Sequence, residues 1–216
     1  MIIPLGDCLS LLHRCQSAAL ATHSLSLPGY PFVTVLPFAI GPDHSPWLLM
    51  SGLAEHCRNV QADPRVSLLL QPPAGQVWEQ ARMTLSGDLH AETPDDALLA
   101  RLLRYAPAFQ SCLALGDFRF YRLQLQAIRF IGGFGRMGWV SAQEWHALPA
   151  FDLATETRLL DELAASSGSA KPLGLDCFGV DYQLGELRQR LDFGAAVDAA
   201  NLPQRVADAL AAGELR

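Results

Sequence analysis

The 216-residue chain is half hydrophobic, carries a formal net charge of −6 and contains one lysine, Lys171, so its cations are almost all arginine. That length suits one substantial domain plus a small one, and an acidic balance without clustered Lys and Arg excludes a sequence-independent nucleic-acid surface. Cys8, Cys15, Cys57, Cys112 and Cys177 are odd in number and widely spaced, which excludes a disulfide framework or a cysteine metal site and leaves reduced, buried thiols as the expectation.

Lys171 lies beside a Ser-Gly-Ser stretch and no Ser-x-x-Lys pair occurs, so neither Schiff-base chemistry nor a serine nucleophile is supported. The N-terminus has no basic region, and Asp7, His13 and Arg14 interrupt its apolar residues; neither a signal peptide nor a membrane span is expected, and the cytoplasm is the default.

Taken in order, Leu5, Cys8, Leu9, Leu12 and Cys15 follow a helix period, and residues 18–22 then read as a strand. Residues 24–29 are a turn. Residues 31–38 are β-branched and aromatic enough for a strand, with Pro31 and Pro37 marking an edge or bulge. Turn chemistry over 41–46 predicts a hairpin to the apolar run 47–50, with His44 a plain loop residue.

Ser51 is a candidate N-cap for a helix with Leu53, Cys57 and Val60 on its apolar face, ended by Asp63-Pro64 before a buried strand over 66–70. Residues 72–75 form a loop, and 82–90 alternate like a half-buried strand. Thr93-Pro94-Asp95-Asp96 opens a helix that Tyr105-Ala106-Pro107 breaks; 118–131 alternate as one long strand with a bulge near Gln126-Ala127. Five or six strands with inserted helices imply an antiparallel barrel.

Gly133 to Gly138 spell G-x-G-x-x-G, but Trp139-Val140 reads as extended and Asp152, the acid at the right distance, opens a helix. A glycine-rich bend at a barrel rim is therefore expected in place of a dinucleotide site. Ser141 and Glu144 make a capping box near the boundary between a domain over 1–148 and a small α/β domain over 149–216. The latter reads as a helix over 152–165, a linker, a hairpin turning at Asp181-Tyr182, and a helix over 202–210.

The start of the helix after Ser51 is the corner with most chemical interest. Free backbone N–H groups and the positive dipole end, with Ser51, His56 and Arg58 near, favour an anion such as phosphate. The alternative is a simple cap with His56 and Arg58 in solvent.

On these residues the chain resembles the pyridoxamine 5'-phosphate oxidase-like FMN-binding split barrels, and within them the haem-utilisation branch, over roughly residues 15–135. The resemblance rests on Leu49-Met50-Ser51 through Asp63-Pro64-Arg65-Val66, on the strand from Arg82 to Gly87, on the Gly132-Gly133-Phe134-Gly135 turn, and on a small C-terminal domain. It implies a mainly β, α+β fold: a homodimeric FMN-binding split barrel with FMN phosphate held by Ser51, His56 and Arg82. The ring would lie in an apolar slot between subunits lined by Thr34 and Met50.

The chain departs from the oxidases at Glu55-His56, where they carry two basic residues, at Thr34, where they carry arginine, and at Arg82 in place of glutamine. Their arginine- and tryptophan-bearing final strand is absent, so pyridoxamine oxidation is not expected. Haem-binding relatives would use a histidine near the C-terminus, whereas the last histidine here is His146. The resemblance thus implies a flavin-dependent oxidoreductase of unspecified substrate first. A non-catalytic flavin or haem carrier, or a haem-utilisation protein, is the alternative; nucleic acid and membrane are not expected partners, and no catalytic acid, base or metal site is named. Trp139 and Trp145, beside the domain boundary, are expected to be packing residues.

Overall fold

The computed structural model describes residues 3–72, 79–133, 135–164, 170–185 and 187–211, which form two compact units over residues 1–147 and 148–216. In unit 1 the order is α1 (Leu5–Arg14), β1 (Ser17–His23), β2 (Pro31–Ile40), β3 (Pro46–Ser51), α2 (Glu55–Ala62), β4 (Arg65–Leu70), β5 (Arg82–Ala91), α3 (Asp96–Tyr105), α4 (Phe109–Leu113), β6 (Phe118–Ile131), β7 (Met137–Ser141) and α5 (Ala142–His146). The strands form one antiparallel sheet in the order β3-β2-β1-β4-β5-β6-β7, and an added β3–β6 pairing closes six of them into a barrel.

Closure is partial, and the pairing shows why. β3 is short: Pro46 to Leu48 reach the end of β2, and Trp47 to Ser51 pair with the first five residues of β6. The first seven residues of β2 pair with β1 alone among the described strands, an edge character that the prolines at 31 and 37 foretell. At the opposite end of β6, its last five residues pair with β7. The barrel is thus shut at one half and split at the other.

The interior is packed by Leu20, Phe38, Leu48, Met50, Leu68, Leu85 and Ile128, all at most 1% exposed. Trp47, Phe120 and Phe109 meet edge to face at 5.9–6.3 Å between centroids, an arrangement worth about 0.5–1.5 kcal/mol per pair beyond burial. Buried Asn59 on α2 ties the β1–β2 hairpin down: its amide donates to Thr22 Oγ1 at 3.0 Å, and its carbonyl accepts from the Leu25 N–H at 3.0 Å. Buried Arg101 on α3 donates to the Ile40 carbonyl at 2.8 Å and lies over the Tyr105 ring.

His44 departs from its expected role as a plain loop residue. It is buried, adopts φ +60°, and its Nδ1 lies 3.2 Å from Nε2 of buried His13, with Trp145 stacked edge to face on it. The turn is tight: the His44 N–H donates to the Gly41 carbonyl at 3.1 Å and the Gly41 N–H to the Ser45 carbonyl at 2.8 Å, and a Cβ on Gly41 would collide with Asp43, Ser45 and Trp47 at 2.8–2.9 Å. Trp145 is thereby packing, as expected. The glycine run between β6 and β7 is a bend joining antiparallel strands, closed by the Gly132 N–H donating to the Arg136 carbonyl at 2.7 Å, with φ of +104° at Gly133 and +77° at Gly135. No helix begins inside it, so the dinucleotide reading stays excluded.

Unit 2 contains α6 (Leu153–Ala164), β8 (Lys171–Asp176), β9 (Gly179–Leu184), β10 (Leu187–Asp192) and α7 (Leu202–Ala211), with a three-stranded sheet β10-β9-β8. The single hairpin expected around Asp181-Tyr182 is corrected: both residues lie within β9, and the chain turns at Cys177-Phe178 instead. There Asp176 accepts the Phe178 N–H at 2.7 Å, an Asx turn that the apolar run concealed. Leu175, Val180, Tyr182 and Leu191 pack with Leu159, Leu163, Leu202 and Val206. Arg190, one residue off Leu191, is held by Asp176 through a two-pronged contact at 2.8 and 2.9 Å, by Asp181 at 3.1 Å and by Asp192 at 3.0 Å.

All five cysteines are free; burial, with the Asp7 charge added, pushes the Cys8 thiol up to about 12, and burial pushes Cys177 up to about 11, as inert thiols require. Among the described residues no helix is long and apolar enough to cross a membrane.

The bulge falls where the alternation slips. Ser86 faces Ala127 and Gly87 faces Leu125, so Gln126 is the extra residue. Any Cβ at Gly87 would lie 2.2 Å from the Gln124 carbonyl oxygen. Gly87→Ala is expected to destabilise unit 1 by about 1–3 kcal/mol, read as a lower urea midpoint at unchanged slope.

Candidate functional site

The corner after β3 is built differently from the expected cap and helix start. β3 continues through Ser51 because its backbone pairs with Phe118, and the Gly52 N–H donates to the Asp117 carbonyl at 2.9 Å, so α2 starts only at Glu55. Its N-cap is Ala54, without a side-chain cap, which corrects the reading of Ser51 as the cap. The Ser51 hydroxyl instead donates to the Asp117 carboxylate and accepts the Leu53 N–H at 3.1 Å. With Asp117 at the corner and Glu55 in the first turn, carboxylates already answer the helix dipole. His56 is half-buried, and desolvation holds its pKa below the ordinary imidazole value, which favours the uncharged ring. Arg58 is exposed.

Arg82, the third phosphate candidate, opens β5 and pairs with Ile131, the last residue of β6; Ser51 pairs with Phe118, the first. Up to roughly 40 Å of strand separates those two partners. One chain therefore brings Ser51 and His56 to the same corner and leaves Arg82 at the other end of the sheet. Met50 is 1% exposed in the barrel interior. Thr34 points the same way, at the half-buried end of a row through Leu20, Leu68, Leu85, Ile128 and Val140, all buried. Neither residue shares a face with Arg82.

The other face of the same sheet is different. Side chains alternate across a strand, so the residues between the buried ones form rows of their own. One row runs Val35, Ala19, Leu69, Thr84, Arg129, Trp139; the next runs Val33, Ala21, Ser67, Ser86, Ala127, Ser141; and Arg82, Ile131 and Met137 begin a third. Every one of these residues is half-buried or exposed. Val33, Val35 and Trp139 are 58%, 68% and 64% exposed, and the Arg129 guanidinium lies over the Trp139 ring at 5.4 Å. Arg82 and Arg129 are diagonal neighbours across β5 and β6, about 7–8 Å apart in the backbone.

Small side chains keep the middle of this face flat, and Ser67 and Ser86 satisfy each other at 3.1 Å. The result is an open platform: apolar at the β2 side, bearing two guanidinium groups and an indole at the β5–β7 side. Such a face offers planar apolar area for an aromatic ligand beside two guanidinium groups that can pair with an anionic group. Trp139 is therefore corrected from packing residue to surface aromatic. Its signal was in the sequence, as the alternation of β6 and β7 sets Arg129 and Trp139 on one parity; only the register shows them to be neighbours.

The lowered pKa of His56 gives a signed expectation. The unfolded chain takes up the proton first as pH falls, so stability should drop as pH passes down through the ordinary imidazole value of 6.5 and level off below the lowered folded value. His56→Gln should flatten that part of the urea-stability profile, with little change near pH 8.

Comparison with known proteins places this architecture. The chain is 30% identical over 152 residues to the Arabidopsis thaliana protein named non-canonical heme oxygenase HOZ, chloroplastic, a match covering 67% of this chain and 46% of that protein. The chain thus spans about half the length of that relative. It is 25% identical over 139 residues to heme oxygenase HutZ of Vibrio cholerae, covering 61% of this chain and 78% of that one. Among solved structures, the Agrobacterium tumefaciens protein Atu2129, of unknown function, is similar over 96% of this chain and 98% of its own, with 27% identity and a TM-score of 0.72. The family described as CREG, beta-barrel matches residues 9–147, close to the whole of unit 1, and the chain belongs to that family.

Proposed function

We propose that this protein binds haem and serves haem utilisation. The observation that carries the reading is the open sheet face, where exposed valines, an indole and two guanidinium groups suit an apolar macrocycle with carboxylate side chains. The two curated relatives named heme oxygenases support it. FMN fits less well within one chain, because its phosphate would meet Asp117 and Glu55 beside an uncharged His56, with Arg82 at the far end of β6. Arg82 keeps a role under this reading, toward carboxylate instead of phosphate. Haem supplies its own redox chemistry when bound; the chain's part is to hold, orient and shield it.

The same face supports a homodimer. Val33 and Val35 on β2, at an edge unpaired among the described strands, are the kind of exposed apolar surface that a second copy covers, with the ligand in the slot between subunits.

Haem titrated into the purified protein should give a saturable shift of the Soret band, while added FMN keeps its free fluorescence. Tight FMN binding with no haem shift would overturn the assignment. Loss of the Soret band on adding an electron donor under air would mark an oxygenase, and a Soret band kept at full intensity a carrier. Light scattering should give twice the 23.5 kDa of one chain, and Val33→Glu with Val35→Glu should shift that mass toward the monomer.

A further inference from the structure

We infer that Arg129 and Trp139 form the polar end of the haem seat, with Arg129 and Arg82 taking the two carboxylates and the Trp139 indole lying against the ring. This rests on the haem reading above and assigns residues and an orientation to it.

The geometry leads there by elimination within the face. On its β2 side Val33, Val35, Ala19 and Ala21 offer no side-chain donor, and Ser17 and His23 stand only at the two ends of β1, each two residues from the nearest of these alanines. The middle row is short hydroxyl and methyl groups, two of which, Ser67 and Ser86, already bond to each other. Cationic side chains enter the three rows only at Arg82 and Arg129, diagonal neighbours on β5 and β6. Haem carries its two propionates side by side on one edge, so a pair of guanidinium groups on adjacent strands meets both at once, whereas a lone cation meets one.

Arg129 is also poised: its described contact is with the π face of Trp139, not with a carboxylate, so a ligand carboxylate can be added at its edge without first breaking an ion pair. Trp139 is 64% exposed on β7, whose outer edge is unpaired among the described strands, so the indole has room to lie parallel to a planar ring. The seat is therefore polarised, with carboxylates toward β5–β7 and the apolar edge of the macrocycle toward β2.

The test uses the full chain and two probes, haem and an iron porphyrin with both propionates esterified, with binding read from the Soret band. Arg129→Gln should weaken haem binding about tenfold or more and leave the ester unaffected, since only the acid form makes the charge-assisted contact. Trp139→Ala should weaken both probes alike, because stacking does not depend on the carboxylates. Arg129→Lys should restore part of the haem affinity. Thermal melts of the unloaded variants should match the parent, as both side chains are on the surface. Haem affinity unchanged in Arg129→Gln, or haem and ester weakened equally by it, would overturn the assignment while leaving haem binding intact. Absence of any Soret shift with the unaltered protein would instead bring down the haem reading itself.

Discussion

The architecture of unit 1 depends on one strand serving three partners. β6 pairs with β5 from Tyr121 to Ile131, gives its first five residues to β3 and its last five to β7. Because β3 is only six residues long, it can close the barrel at one end of β6 but not at the other. The closed half is filled by Leu48 and Met50, with Trp47 and Phe120 packed against Phe109 on the opposite side of those strands; the open half presents a sheet with one face buried and the other half-buried or exposed. The bulge at Gln126 lies between the halves, where the local twist rises and the strand changes partners.

That division separates stability from binding. The residues that suggested a cofactor corner, Ser51 and its neighbours, are taken up by the closure: Ser51 is the last β3 residue paired to β6, and its hydroxyl is spent on Asp117 at the start of that strand. On the open half the surface is flat at its middle because Ala19, Ala21, Ser67, Ser86 and Ala127 are small, with Arg82 and Arg129 on its β5–β6 side and Arg65, held by Asp63, one row beyond Ser67. Exposed valines and an exposed indole on one face are costly to leave in water, and either a planar ligand or a second copy of the chain would cover them.

How much of this was legible follows the range of each signal. The capping box at Ser141 and Glu144, the edge character of β2 and the bulge at Gln126 all hold, since each is set by neighbours in the chain. His44 was misjudged for the converse reason: a turn residue looks idle until its partner His13, thirty-one positions away, is known. In unit 2 the Asp176 turn was hidden within an apolar run, and three strands read as two. For the site, Arg82 was marked from sequence and Trp139 was read as packing; that Arg82, Arg129 and Trp139 stand on one face of the sheet is a matter of register, which no local signal carries.

By itself the sequence determined the elements of the barrel, its mainly β class and its resemblance to a haem-utilisation branch, because hydrophobic period, turn residues and caps act over a few positions. Which side chains share a face was decided only by the tertiary structure. Antiparallel register sets Leu69 beside Thr84, Thr84 beside Arg129 and Arg129 beside Trp139, and a slip of one residue would turn every one of them to the other side of the sheet. Local chemistry cannot encode that register, because the strands that fix it lie far apart in the chain.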